Sequence, residues 1–546
     1  MTCKTTVLIG CCSLVFACDA QGDAPFRHPG IGLNRKELKT IVSNVRGGVE
    51  PWKSAYDWLV EHDERFDRAG KMWANTDETN LSIDNPGFDD RCLHDSQVAV
   101  AQELMYLITK DDVYRRNALR IVRWYWQNVR GGKPHWDSQF RWPNAERWYL
   151  AACELLRWTP PKEGPLAWTD EDTKGVDALI AAGENLWWGR RTFLNQLQFA
   201  LGGQLARSVW RDDRAAYDEM VEILTVNADG PAGEFNGSIR ELCRLVTSNE
   251  VTGVAVKPHV QFTEMGRDIG HPWCFGELSG NLAILRSQGT KVDPETGRVS
   301  VKSNAVEPIE FLSHRVLRGW NQICKYNLGF DIDWTPIYIE RAKNAVWERP
   351  DNSGGGRGRL RPEMDFVYSH YRWKRGLNFD RGEETRYFGY ANRLQGTNPW
   401  TTLLYTPPEA AGKWKDERID PGRDGVLRFA EFIQPKAKDS RKNFILPLFL
   451  CSRPPLPKPG EYVLRYRTDG RAMMGVINPE DYATEFKDGI AATKRKYVER
   501  VALPDTKGEW KEYALLLKSP PCRNLVKLHF ATHGSFIEID WLKTPL

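Results

Sequence analysis

Residues 261–271 read Gln-Phe-Thr-Glu-Met-Gly-Arg-Asp-Ile-Gly-His and put a guanidinium, two carboxylates and an imidazole between glycines. An imidazole with a reference pKa of about 6.5 accepts a proton near neutral pH without strong tuning, which makes His271 a candidate base. Downstream, Lys325-Tyr326-Asn327-Leu328-Gly329 supplies a phenol. With a reference pKa of about 10, Tyr326 is protonated at rest and can donate to a leaving oxygen. Histidine and tyrosine are a workable acid/base pair. The interval between them is long enough for one helical hairpin, which would bring both to one rim. Each also has a plainer reading: His271 as a buried histidine bonded to backbone, and Tyr326 as a core tyrosine at a helix end.

The elements that must position these groups are mainly helical from about Phe26 to Tyr405. Val98, Ala101, Leu104, Met105 and Ile108 recur at helical spacing, Asp111-Asp112 interrupts, and Ala118, Ile121, Val122 and Tyr125 resume it. The same helix–acidic turn–helix grammar returns at Trp148–Leu156, and at Phe193–Val209 with Tyr217–Leu224. It appears again at Gly276–Ser287 with Phe311–Tyr326. Successive helical hairpins with little strand signal between them predict an α/α toroid over residues 26–406, an incomplete barrel with a cleft at one end. Residues 407–425 have the composition of a linker. Short alternating runs then follow at Val426–Ile433, Phe444–Leu450, Tyr462–Tyr466, Met473–Ile477, Tyr513–Leu517, Val526–Ala531 and Phe536–Leu542. Their spacing predicts an all-β sandwich over 426–546.

Composition narrows the function. The chain has 546 residues and a formal net charge of +4 without long basic runs, which speaks against nucleic acid and a polybasic membrane patch. Its 22 Trp, 18 Tyr and 22 Phe suit sugar rings, whose C–H faces stack on aromatics, although most of these side chains are expected in the core. Trp136, beside Asp137, is a candidate sugar contact, and His370-Tyr371 opens a further aromatic and basic group. Residues 1–20 read as a signal peptide: Lys4 precedes an apolar run, Thr6–Ala17, too short to span a bilayer, and Val15-Phe16-Ala17 fits a cleavage site. A secreted or periplasmic protein is expected, with Cys18 allowing a lipoprotein anchor and no membrane span. The seven cysteines after residue 20 (Cys92, Cys153, Cys243, Cys274, Cys324, Cys451, Cys522) lack metal-ligand spacing. The glycine-rich run Ser353–Arg359 lacks the strand, helix and Lys-Ser/Thr of a phosphate loop. Nothing in the sequence reports the oligomeric state.

Arg27-His28-Pro29-Gly30-Ile31 with Glu50-Pro51-Trp52-Lys53, then Gly266-Arg267-Asp268-Ile269-Gly270-His271, then Gly319-Trp320 with Lys325–Gly329, resemble the motifs of the alginate-lyase-type polysaccharide lyases. The likeness spans about Phe26 to Tyr371. Gly460-Glu461-Tyr462 and Phe536–Trp541 are similar, more loosely, to carbohydrate-binding sandwiches of secreted glycan enzymes. The resemblance implies β-elimination on an acidic polysaccharide, with removal of the C5 proton of a uronate and expulsion of the 4-O-linked sugar. That proton is acidic enough only if the adjacent carboxylate is masked, so that the enediolate is stabilised by fixed cations or amides. Arg267, Arg318 and Asn195 are the candidates for masking, and His370, Tyr371, Trp136 and Glu264 for holding substrate. His370 and Tyr371 are equally well read as caps of a surface turn. Glu264, Asp268 and Glu277 would orient His271 or Arg267, or be ordinary ion-pair partners. No cofactor is obligatory for such chemistry, and a bound divalent cation is compatible with it. Two rival classes share the features: a glycoside hydrolase using carboxylates such as Asp95 and Asp137, and a non-catalytic glycan-binding protein.

Overall fold

The computed structural model describes residues 25–74, 76–77, 81–83, 87–131, 138–187, 189–231, 233–267, 271, 274–327, 330, 332–339, 345–350, 364–395, 398–414, 426–428, 445–452, 460–487, 490–518, 526–532 and 537–543. It is mainly helical to Tyr405 and β-stranded from Val426 on. The helices are α1 Arg35–Arg46, α2 Trp52–His62, α3 Phe88–Thr109, α4 Asp112–Asn128, α5 Ser138–Trp158, α6 Asp170–Ala182, α7 Leu194–Trp210, α8 Arg214–Thr225, the single turn α9 Ile239–Leu242, α10 Cys274–Gln288, α11 Phe311–Asn327, α12 Asp365–Ser369, α13 Arg386–Gln395 and α14 Pro399–Tyr405. Polar side chains start them where the sequence changes period. Asn34 and Glu37 form a capping box on α1, as do Thr169 and Asp172 on α6, while Asp111 and Asp213 accept first-turn amides of α4 and α8.

The long helices α3, α5, α7 and α10 run the same way. Phe88 and Trp142, near the starts of α3 and α5, meet at 5.7 Å, and the two chains meet again at the far end, where Thr159 donates to Glu103 at 2.7 Å. Phe140 of α5 faces Phe199 of α7, and Arg207 Nε further along donates to Glu146 at 2.7 Å. Asn281 of α10 donates to the Gln198 carbonyl of α7 at 2.9 Å. The segment after Phe26 then ties the C-terminal ends of α5, α7 and α10 together. His28 bridges Glu154 (2.9 Å) and Asp212 (3.0 Å), and the Arg27 amide donates to Gln288 (3.0 Å). Their N-terminal ends therefore share the opposite end of the bundle. Trp52, Trp142, Trp320, Tyr125, Tyr149 and Tyr217 are enclosed between the layers. Gly203 lets α7 approach α5, since a Cβ there would lie 2.7 Å from the Pro143 backbone.

Two strand pairs interrupt the helices where helix–helix links alone are expected. β1 Cys243–Ser248 pairs antiparallel with β2 Ala255–Phe262 directly before the Arg267 segment, and β3 Ile337–Ile339 pairs with β4 Ala345–Trp347. In the first pair Leu245 is exposed and Pro258 interrupts the apolar alternation, which hid the hairpin from a period-two reading. The C-terminal strands are β5 Val426–Arg428, β6 Ile445–Ser452, β7 Gly460–Thr468, β8 Ala472–Lys487, β9 Ile490–Leu503, β10 Lys511–Leu517, β11 Val526–Thr532 and β12 Ile537–Lys543. They form two antiparallel sheets, ordered β10-β7-β12-β5 and β6-β11-β8-β9. Along β7, Tyr462, Leu464, Tyr466 and Thr468 turn to the buried side. β9 is absent from the expected strands because Lys494-Arg495-Lys496 breaks its apolar pattern. In β12 a register shift against β7 falls between Ile539 and Trp541.

Candidate active site

The Arg267 segment leaves β2 through a tight 3-10 turn, Thr263–Gly266. Its entry is fixed from two sides: the Phe262 amide donates to Gln322 of α11 at 2.6 Å, and Thr263 Oγ1 donates to the Glu241 carbonyl at 2.7 Å. Gly266 closes the turn because a Cβ there would meet Trp334 and Trp347 at 2.7–2.8 Å. Glu264 is thereby driven inward and fully buried. Its Oε1 accepts the Asn195 amide at 3.0 Å. Asn195 is the second residue of α7, a helix whose own N-cap, Phe193, offers no side-chain acceptor. A carboxylate from a distant turn thus takes the capping role and meets the positive end of the helix dipole.

Arg267 lies against the same point. Its Nη1 is 4.0 Å from Glu264 Oε2, and its guanidinium carbon stands 5.1 Å from the centre of the Phe193 ring. Among the described residues, Asn195 Oδ1 and Arg267 Nη1 are buried atoms without a hydrogen-bond partner. Buried polar atoms are nearly always paired, so two unmet groups on residues that both approach Glu264 mark a place where a ligand's polar atoms would fit. The starts of α3, α5, α7 and α10 face this end, and helix N-termini favour anions.

His271 is partly buried, three residues before α10. Tyr326 is 8% exposed in the last turn of α11. α10 and α11 run antiparallel: Phe275, at the start of α10, packs on Trp320 in the second half of α11 (4.7 Å), while Arg286 and Thr290 share a cavity with Pro308 and Ile309 ahead of α11. His271 and Tyr326 therefore sit toward one end, with Asn195 and Arg267.

The other expected residues are elsewhere or enclosed. Arg318, expected to mask the substrate carboxylate, lies two helical turns before Tyr326, about 12 Å along the axis. There its Nη2 is 2.6 Å from Glu384, in a groove of ≈140 Å³ with Lys257, His259 and Lys325. His370 and Tyr371, expected to hold substrate, are buried at the far end of α10. His370 Nε2 is 2.8 Å from Glu310, and Tyr371 donates to the Ile309 carbonyl at 3.0 Å and contacts His314 Nδ1. Burial pushes the Tyr371 phenol well above its ordinary range. Glu264, also expected to hold substrate, is closed off from solvent and acts on Asn195 instead. Trp136, Asp137 and Asp268 lie outside the described residues, as do residues 1–24 and Ser353–Arg359. Glu277 pairs with Arg147 at 2.9 Å. Asp95, the first acid of the hydrolase alternative, is fully buried and takes the amides of Trp73 (2.7 Å) and Ala74 (3.1 Å) and the Tyr125 hydroxyl (2.9 Å). It holds a loop in place.

The Glu264–Asn195 bond and the Phe193 face under Arg267 carry no sequence signal, because their partners are some seventy residues apart. Among the described residues there is no group of three or more His, Cys, Asp or Glu side chains able to hold a metal ion, and no helix long and apolar enough to cross a membrane. Cys92, Cys153, Cys243 and Cys324 are buried and free of disulfides. No protein-family model and no curated protein matches the chain.

Proposed function

We propose that this protein is a secreted or periplasmic polysaccharide lyase that cleaves 4-O-linked uronate polymers of the mannuronan or glucuronan type by β-elimination. In this reading the helical part, residues 26–406, is an α/α toroid, 407–425 is a linker, and 426–546 is a β-sandwich that binds carbohydrate. The carrying observation is the pair of unmet buried groups, Arg267 Nη1 and the Asn195 carboxamide, at the end where His271 and Tyr326 also sit. The uronate carboxylate lies against Arg267. Turned about its terminal bond, the Asn195 carboxamide presents an N–H to the same group. Glu264 holds the α7 terminus so that neither moves.

With the carboxylate masked, the C5–H electron pair becomes the C4–C5 double bond and the C4–O4 pair leaves with O4. Where the C5 proton and O4 share a face of the ring, as in mannuronate and glucuronate, a neighbouring cation that lowers the Tyr326 pKa would let it start as phenolate, take the C5 proton and return that proton to O4. On a ring with the two on opposite faces, His271 takes the proton and Tyr326 gives one. These side chains need no cofactor for that sequence.

Incubation of the full chain with mannuronan, glucuronan and polyguluronate tests the reading. Ultraviolet absorbance of the new double bond and reducing ends are expected to rise together. Reducing ends alone would replace the lyase by a hydrolase, and neither signal on any polyuronate would overturn the proposal.

A further inference from the structure

Trp73 is 53% exposed, more than any other large aromatic side chain among the described residues. It is also held rigidly. Its amide and that of Ala74 are bound by the fully buried Asp95, whose carboxylate also takes the Tyr125 hydroxyl and contacts His94 Nδ1 at 3.1 Å. The His94 imidazole stacks under the indole with ring centres 3.6 Å apart and planes 6° from parallel, and its Nε2 is 3.3 Å from Glu64. One indole face is thus covered by imidazole, and the exposed area belongs to the other. Leaving that much apolar surface in water gives up burial energy, and the Asp95 clamp keeps the loop from turning the ring inward.

The placement points to the cleft. His94 is in the second turn of α3, at the end where α5, α7 and α10 also begin. It shares a helix face with Gln97, three residues on. Gln97 accepts from Arg65, whose guanidinium lies 4.4 Å over Trp400, and Trp400 meets Trp148 of α5 at 6.0 Å. The stack therefore stands on the side of α3 linked to α5, at the end of the helices that also carries Asn195 and Arg267.

We infer that the free face of Trp73 is a sugar-stacking subsite that holds a pyranose ring of the polymer beside the cleavage point. This inference rests on the lyase reading for its substrate class. An aromatic plate binds the C–H face of a ring whatever its charge, so Trp73 supplies affinity and register while Arg267 supplies charge recognition.

The test compares full-length wild type, Trp73→Ala, Trp73→Phe and Trp73→Leu by initial rates on mannuronan and glucuronan. Retention in gels containing those polymers, or neutral xylan, is measured in parallel. Trp73→Ala is expected to weaken retention and raise KM about tenfold or more, with kcat changed less than about threefold, and Trp73→Phe to keep most of the affinity. Trp73→Leu keeps apolar bulk without an aromatic face and is expected to behave as alanine, so it carries the test should alanine fold poorly. Wild-type KM and retention in both Trp73→Ala and Trp73→Leu would overturn the inference. Retention by wild type but not Trp73→Ala, with no elimination anywhere, would remove the lyase reading and keep the subsite. No elimination and no retention of any of the four proteins would remove both.

Discussion

The two ends of α10 carry the same residue types and use them in opposite ways. At its C-terminal end most strong groups are matched within the protein, although Arg286 Nε, ion-paired with Glu37, makes no hydrogen bond among the described residues. Glu310 accepts from His370 and from both ends of the Arg375 guanidinium, Lys374 pairs with Glu307 at 2.6 Å, Arg286 with Glu37 at 3.0 Å, and Tyr371 with a backbone carbonyl. Beyond its N-terminal end, Arg267 comes no nearer than 4.0 Å to Glu264, and among the described residues its buried Nη1 and the Asn195 Oδ1 have no hydrogen-bond partner. Histidine, tyrosine and arginine make a site only where some of their hydrogen-bonding capacity is left over. At the far end His370, Tyr371 and Arg375 spend that capacity on the turn before α11.

This contrast can be broken from either side. The largest effect is expected at Tyr326. Tyr326→Phe should lower kcat by about 10²–10⁴-fold with polymer binding retained, since only proton transfer is removed. Near-normal turnover would take Tyr326 out of the mechanism. Arg267→Ala should lower kcat by about 10²–10³-fold with little change in the urea midpoint, because the masking acts on charge that develops in the transition state. At the opposite end the expectation inverts. Glu310→Gln should cost about 2–3 kcal/mol of stability in urea unfolding and leave turnover per folded molecule unchanged. A loss of kcat without loss of stability there would mean the two ends had been assigned the wrong way round.

The same carboxylate gives a pH signature. Burial pushes Glu310 up, but hydrogen bonds and charge from His370 and Arg375 overcome it and hold the group down to about 2. A depressed carboxylate adds stability that is present above its unfolded value of 4.5 and is lost as the pH falls through about 2. The stability gap between wild type and Glu310→Gln should therefore narrow over that interval in acid unfolding, and a constant gap would exclude the pairing. A smaller effect of opposite sign belongs to His28. Burial lowers its pKa, and the hydrogen bonds and charges of Glu154 and Asp212 more than reverse this, so the net shift is upward from 6.5. Its contribution is present below 6.5 and lost as the pH rises through the raised value. The melting temperature of wild type should fall more than that of His28→Gln on alkaline titration.

Periodic apolar residues made α3, α4, α7, α8, α10 and α11 legible in the sequence, and α4 and α8 also start on a carboxylate, Asp111 or Asp213, that caps them. The β1–β2 hairpin was not legible, since its strands expose apolar residues and carry a proline. β9 was hidden by its run of cations. At the site, Arg267, His271 and Tyr326 stood out by type and motif. The bond that aligns Asn195 is tertiary, however, and a fully buried Glu264 reads in sequence like any surface acid. The internal bonds of His370 and Tyr371 were hidden for a related reason: their partners, Glu310 and Ile309, come from the turn before α11 and cannot be paired with them by spacing.

The most direct test of the central claim is a crystal structure of Tyr326→Phe with a bound uronate trisaccharide. The account predicts one sugar carboxylate within hydrogen-bonding distance of both the Arg267 guanidinium and the Asn195 carboxamide, with position 326 facing C5 and O4. A carboxylate bound instead among His370, Arg286 and Lys374, with Arg267 untouched, would contradict it.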